Sequence, residues 1–81
     1  MKIEILGPGC PKCKALFQNT EKAVKDLNLQ TEIVKVEDIE KIMEAGIMLT
    51  PALVVDGKVQ SSGKVLTVEE VKGYLKNNRE E

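Results

Sequence analysis

The sequence predicts an α/β fold: a four-stranded mixed sheet with helices on both faces, in the order β-α-β-α-β-β-α. Three observations carry that expectation. Two short stretches rich in β-branched residues, 2–6 and 31–36, flank a long stretch whose apolar side chains recur every three or four positions. This is the pattern of a βαβ unit, with parallel strands and a right-handed crossover. Asp56-Gly57 separates two further β-branched runs, as a two-residue type I′ hairpin requires. Thr67-Val68-Glu69-Glu70 fits the reciprocal capping pattern that opens a helix.

The elements follow in order. Ile3 and Ile5 suit a pleated surface, and Gly7-Pro8-Gly9 ends the first strand. Over residues 11–28, Cys13, Leu16, Phe17, Val24 and Leu27, with the partly apolar Thr20, fall on one helix face. Lys14, Asn19, Glu21, Lys22, Lys25 and Asp26 fall on the other, so Phe17 and Val24 are expected in the core. After the second strand, residues 37–45 place Ile39, Ile42 and Met43 on one face of a short helix that Gly46 can terminate. Pro51 cannot donate to a β ladder, which suits the entry of the third strand, residues 52–55, or a cis bond. The fourth strand spans residues 58–62. In the last helix Val68, Val71, Tyr74 and Leu75 face inward, Gly73 weakens it modestly, and residues 77–81 form a charged tail.

Both cysteines lie in Gly7-Pro8-Gly9-Cys10-Pro11-Lys12-Cys13, where strand passes to helix. Cys10 is expected at the N-cap and Pro11 at the first helical position, where its missing N–H costs nothing. Free backbone N–H groups and the helix dipole there favour thiolate over thiol, and Lys12 and Lys14 push the same way. Cys13 comes about one helical turn later, facing inward and close enough for a reversible disulfide with little backbone movement. Other chemistries compete for the same pair. A closed zinc site needs about four N or S ligands, and the chain has no His and no third Cys, so no such metal site is expected. A two-ligand site for a soft ion such as Cu(I), as in copper carriers, fits the ligand count. Two packed, chemically idle cysteines fit poorly beside Gly, Pro and Lys.

Composition narrows the classes. With 81 residues, residues 1–81 are expected to form a single domain around one core. A 42% hydrophobic and 31% charged makeup is that of a folded globular chain. A net charge of −1 and only Phe17 and Tyr74 as aromatics leave no footprint for nucleic acid or an anionic membrane. The longest mainly apolar run, residues 46–55, is too short to span a bilayer, and residues 1–6 lack the apolar core of a signal peptide. A cytoplasmic protein is expected, and in a reducing compartment a close cysteine pair is more often reactive than structural.

On Cys10-Pro11-Lys12-Cys13 after the first strand, Thr50-Pro51 before the third and Asp56-Gly57 in the hairpin, the chain resembles a minimal thioredoxin-fold protein. The likeness covers nearly the whole chain and is strongest to the small thioredoxin/glutaredoxin-like redox proteins of archaea and bacteria. Cys-Pro-X-Cys is more like glutaredoxins than the Trp-Cys-Gly-Pro-Cys of typical thioredoxins, and Trp is absent here. The resemblance implies a thioredoxin-like fold and a thiol-disulfide oxidoreductase of electron transport and cell redox homeostasis. It implies Cys10 as the nucleophile and Cys13 as the buried resolving thiol, with the redox-active disulfide itself and no further cofactor. It implies a cis bond at Thr50-Pro51, whose backbone would hydrogen-bond a substrate chain running antiparallel. Pro11, Lys12 and Gly63 join the substrate-binding set: Lys12 could attract a glutathione carboxylate, and Gly63 could let a substrate backbone approach. Glu4, six residues before Cys10, stands where thioredoxins often have a buried acid that accepts the proton of the resolving cysteine. Implied partners are disulfide-containing proteins and, as reductant, a flavin-dependent disulfide reductase or glutathione; the state expected is a monomer. Two rivals stay open, the Cu(I) carrier and a non-enzymatic partner module that retains the fold.

Overall fold

The computed structural model describes residues 2–9 and 11–79. Seven elements follow one another: β1 (Ile3–Leu6), α1 (Pro11–Asp26), β2 (Ile33–Val36), α2 (Ile39–Glu44), β3 (Ala52–Val55), β4 (Lys58–Ser62) and α3 (Val68–Arg79). The strands form one sheet in the order β2-β1-β3-β4, with β1 parallel to β2 and antiparallel to β3, and β3 antiparallel to β4. This is the expected thioredoxin-like α/β architecture.

Local chemistry explains most boundaries. Asp56 and Gly57 both adopt positive φ (51° and 82°), as a type I′ turn demands, and Val55 faces Lys58 across it. At the start of α3 the Thr67 N–H donates to Glu70 Oε1 (2.9 Å) and the Glu70 N–H donates to Thr67 Oγ1 (3.2 Å), so the expected capping box is formed on both sides. Two helices close with the same backbone device. Beyond α2, the Gly46 N–H donates to the Met43 carbonyl and the Ile47 N–H to the Ile42 carbonyl, and both isoleucines are buried together. Beyond α1, Asn28 takes the left-handed residue's place (φ 56°), and the Leu29 N–H donates to the Val24 carbonyl. That turn ends α1 at Asp26, two residues short of the expected limit. The second strand likewise begins at Ile33, not at residue 31. The short helix begins at Ile39, not at residue 37, because the Asp38 carboxylate accepts the Glu40 N–H (2.9 Å) and caps it.

The sheet separates two apolar clusters. On one face Ile3, Ile5, Leu53 and Val55 pack with Leu16, Ala23 and Val24 of α1 and Val71 and Leu75 of α3. On the other, Leu6, Ala52 and Val54 pack with Ile42 of α2 and Ile47. Phe17 is half-buried at the edge of the first cluster, its ring 4.5 Å from Lys35 Nζ. The apolar face expected of the short helix is reduced to Ile42. Ile39 and Met43 are 57% and 69% exposed, because a helix of six residues reaches the sheet with one side chain.

Candidate functional site

Strand β1 delivers the chain to the site. Its alternation puts Ile3, Ile5 and Gly7 on the α1 side of the sheet, and the Gly7 N–H prolongs the parallel ladder by donating to the Val36 carbonyl (2.9 Å). Gly9 then turns the chain at φ 90°, a conformation open chiefly to glycine, and α1 begins at Pro11. The first turn of α1 carries Lys12 and Lys14 and no acidic residue, the reverse of what the helix dipole favours. That end of the helix gives up stability and gains positive potential where the cysteine motif lies.

Cys13, in this first turn, is 6% exposed. A Cβ placed on Gly7 would collide with Cys13 Sγ, lie 3.3 Å from Cys13 Cβ and come within 3.7 Å of Pro51 Cα. Gly7, Cys13 and Pro51 therefore meet at one point, with no space for even a methyl group between them. The Thr50-Pro51 peptide bond is cis, Pro51 is buried and Thr50 half-buried. Across from it, the Gly63 N–H donates to the Pro51 carbonyl (2.9 Å). Gly63 has φ 85°, and a Cβ there would lie 3.0 Å from Leu49 Cβ. The space that glycine leaves is filled by Leu49.

The other expected site residues are placed as follows. Pro11 and Lys12 are exposed at the start of α1. Cys10, expected as the nucleophile, lies outside the described residues. Glu4 is half-buried but is not brought to Cys13. Its cross-strand neighbour Val54 belongs to the cluster under α2, so strand alternation sets Glu4 on the sheet face away from α1.

Two residues escaped the sequence reading. Gly7 looked like a strand terminator, although its parity with Ile3 and Ile5 already aimed it at the helix carrying Cys13. Glu37 looked like the start of a helix. It is instead an exposed residue beyond β2, and its carboxylate reaches the loop that precedes α1: a Cβ on Gly9 would lie 3.2 Å from Glu37 Oε2. Glu37, Lys14 and Lys35, with Ile5, Gly7, Gly9 and Cys13, line a partly open cavity of about 30 Å³.

A buried cysteine in the first turn of α1 and a cis-proline turn thus flank Gly7 at the end of the mixed sheet. The family of thioredoxin domains matches residues 1–76. This chain belongs to the thioredoxin family. A thioredoxin of Methanothermobacter thermautotrophicus is 41% identical over 75 residues, covering 93% of this chain and 97% of the relative. A thioredoxin of Methanocaldococcus jannaschii is 43% identical over 75 residues, covering 93% of this chain and 86% of the relative. As a thioredoxin-family protein the chain is a thiol-disulfide oxidoreductase. Among the described residues no helix is long and apolar enough to cross a membrane.

Proposed function

We propose that this thioredoxin-family chain reduces disulfides in protein substrates by cycling Cys10 and Cys13 between dithiol and disulfide, with no other cofactor. The Cys10 thiolate attacks a substrate disulfide; one substrate sulfur leaves with the electron pair and takes up a proton, and a Cys10–substrate mixed disulfide remains. Cys13 then attacks Cys10, closing the Cys10–Cys13 bond and releasing the second substrate sulfur. The observation that carries this reading is the buried Cys13 sulfur beside Gly7 and the cis-Pro51 turn, three positions after Cys10. A substrate segment pairs with the Thr50 backbone next to Pro51, while Pro11 and Lys12 flank it from the exposed start of α1. Gly63 supports the same edge through its bond to Pro51. The cycle is reset by a flavin-dependent disulfide reductase or by glutathione, and the protein works as a cytoplasmic monomer of one domain.

Trapping tests the assignment of roles. Incubated with a disulfide-bonded protein, Cys13→Ser accumulates a covalent substrate adduct through Cys10, visible by non-reducing electrophoresis and intact mass, and Cys10→Ser accumulates none. An adduct formed by Cys10→Ser and not by Cys13→Ser reverses the two roles, and none with either variant removes the mixed-disulfide route.

A further inference from the structure

We infer that Glu37 carries away the proton that Cys13 releases as it closes the disulfide, through a water held in the cavity between them. The inference rests on the reading of Cys13 as the resolving thiol. In that step the Cys13–Cys10 bond forms, the Cys10–substrate bond breaks, and the substrate sulfur leaves with the electron pair. The thiol proton must leave Cys13, and the leaving sulfur takes its proton from solvent.

An enclosed sulfur sheds a proton poorly, since little water surrounds the charge that would form. Cys13 is 6% exposed and is walled on one side by Gly7. On another side lies the cavity of about 30 Å³ that it shares with Glu37. A water needs about 10–15 Å³ of such space and two or more polar partners. The Cys13 sulfur and the Glu37 carboxylate can be two of them.

The carboxylate is well placed for the outward half of the relay. Glu37 is exposed, so the oxygen that faces the cavity belongs to a group in exchange with bulk water. Among the described residues, the charged groups facing this space are Lys14 of α1, Lys35 of β2 and Glu37 itself. The two lysines put positive charge beside the sulfur as its proton leaves. Among the described residues Glu37 is the one carboxylate that lines the cavity, whereas Glu4 sits on the opposite face of the sheet. Geometry thus separates two acids that sequence spacing alone does not.

The test is single-turnover release of a preformed Cys10–substrate mixed disulfide, followed from acid to alkaline pH for the wild type, Glu37→Gln, Glu37→Asp and Glu4→Gln. General base assistance contributes about a hundredfold or more where no water can substitute. For a base acting through water near solvent, Glu37→Gln is expected to slow release about tenfold near neutrality. The deficit narrows as pH rises, because hydroxide then takes the thiol proton in place of the carboxylate. Glu37→Asp regains part of the rate, while the alkylation rate of Cys10 in the free reduced enzyme changes less than the release rate. Equal release and an unchanged pH profile in Glu37→Gln overturn the relay, as does a profile that shifts in Glu4→Gln and not in Glu37→Gln. Absence of release from the wild type overturns the relay together with the role of Cys13, a failure distinguishable from the other two.

Discussion

Adding one methyl group at Gly7 tests the packing that defines the site. Gly7 does not sit in the left-handed region that favours glycine, so the effect of alanine there comes chiefly from space. The new Cβ would collide with Cys13 Sγ, and Pro51 Cα, 3.7 Å away, is backbone that cannot yield. The sulfur must retreat by about 1 Å to regain an ordinary contact of about 3.5 Å. Forcing a methyl into a packed core costs about 1–3 kcal/mol. For a domain of this size each kcal/mol lowers Tm by roughly 4–8 °C. A displacement of about 1 Å at a reacting group can cost about a hundredfold in rate, so mixed-disulfide release should fall on that scale. The control is the same substitution at Gly73. It lies inside α3 with nothing within 4 Å of its would-be Cβ, and alanine there should stabilise by about 0.5–1 kcal/mol. Urea unfolding of both variants in reductant, with single-turnover release for Gly7→Ala, reads the two effects. A Gly7→Ala variant as stable as the wild type and as fast in release would refute the claim that Gly7, Cys13 and Pro51 share one contact point.

Three further outcomes follow from the same structure. Thr67→Ala removes half of the reciprocal cap on α3 and should cost about 1 kcal/mol by denaturant titration, with Thr67→Ser retaining most of it. Leu53→Ala opens a void beneath α1 and α3 at a fully buried central-strand position, and a loss of about 2–5 kcal/mol is expected in the same assay. Lys72 ties α3 to α1 through Asp26 (3.2 Å), and the Asp26 carboxylate to which it hydrogen-bonds holds its ammonium above the ordinary lysine value of 10.5. A folded-state pKa raised above the unfolded one gives a contribution that is fully present below that value and lost as pH climbs through the folded pKa. The stability gap between wild type and Lys72→Met should therefore hold steady around neutrality and shrink as pH climbs above the ordinary lysine value of 10.5. A gap that widens with alkali contradicts the pairing.

The sequence by itself determined what neighbours along the chain control. The two positive φ angles at Asp56-Gly57, the reciprocal bonds of Thr67 and Glu70 and the stop at Gly46 depend on a few adjacent residues, and each is legible as a local code. The buried stripe of α1, with Cys13, Leu16, Thr20 and Val24, follows from helical period in the same way. Ala23, equally buried, and Asp38, which caps α2, belong to codes of this kind that were present and passed over.

Tertiary structure decided the relations between residues distant along the chain. Helical period offers Ile39 and Met43 as readily as Ile42, but how much of a short helix touches the sheet depends on where the sheet lies. Spacing put Glu4 near Cys10 in sequence, whereas cross-strand register set its side chain under α2 and brought Glu37, from the neighbouring strand's end, to the loop and cavity of Cys13. The meeting of Gly7, Cys13 and Pro51 joins three separate segments, and no local preference of any one of them encodes the other two. Backbone sterics and periodicity act over a few bonds and can be read from the sequence; contacts across the sheet exist only once parity, register and crossover have placed distant residues in the same space.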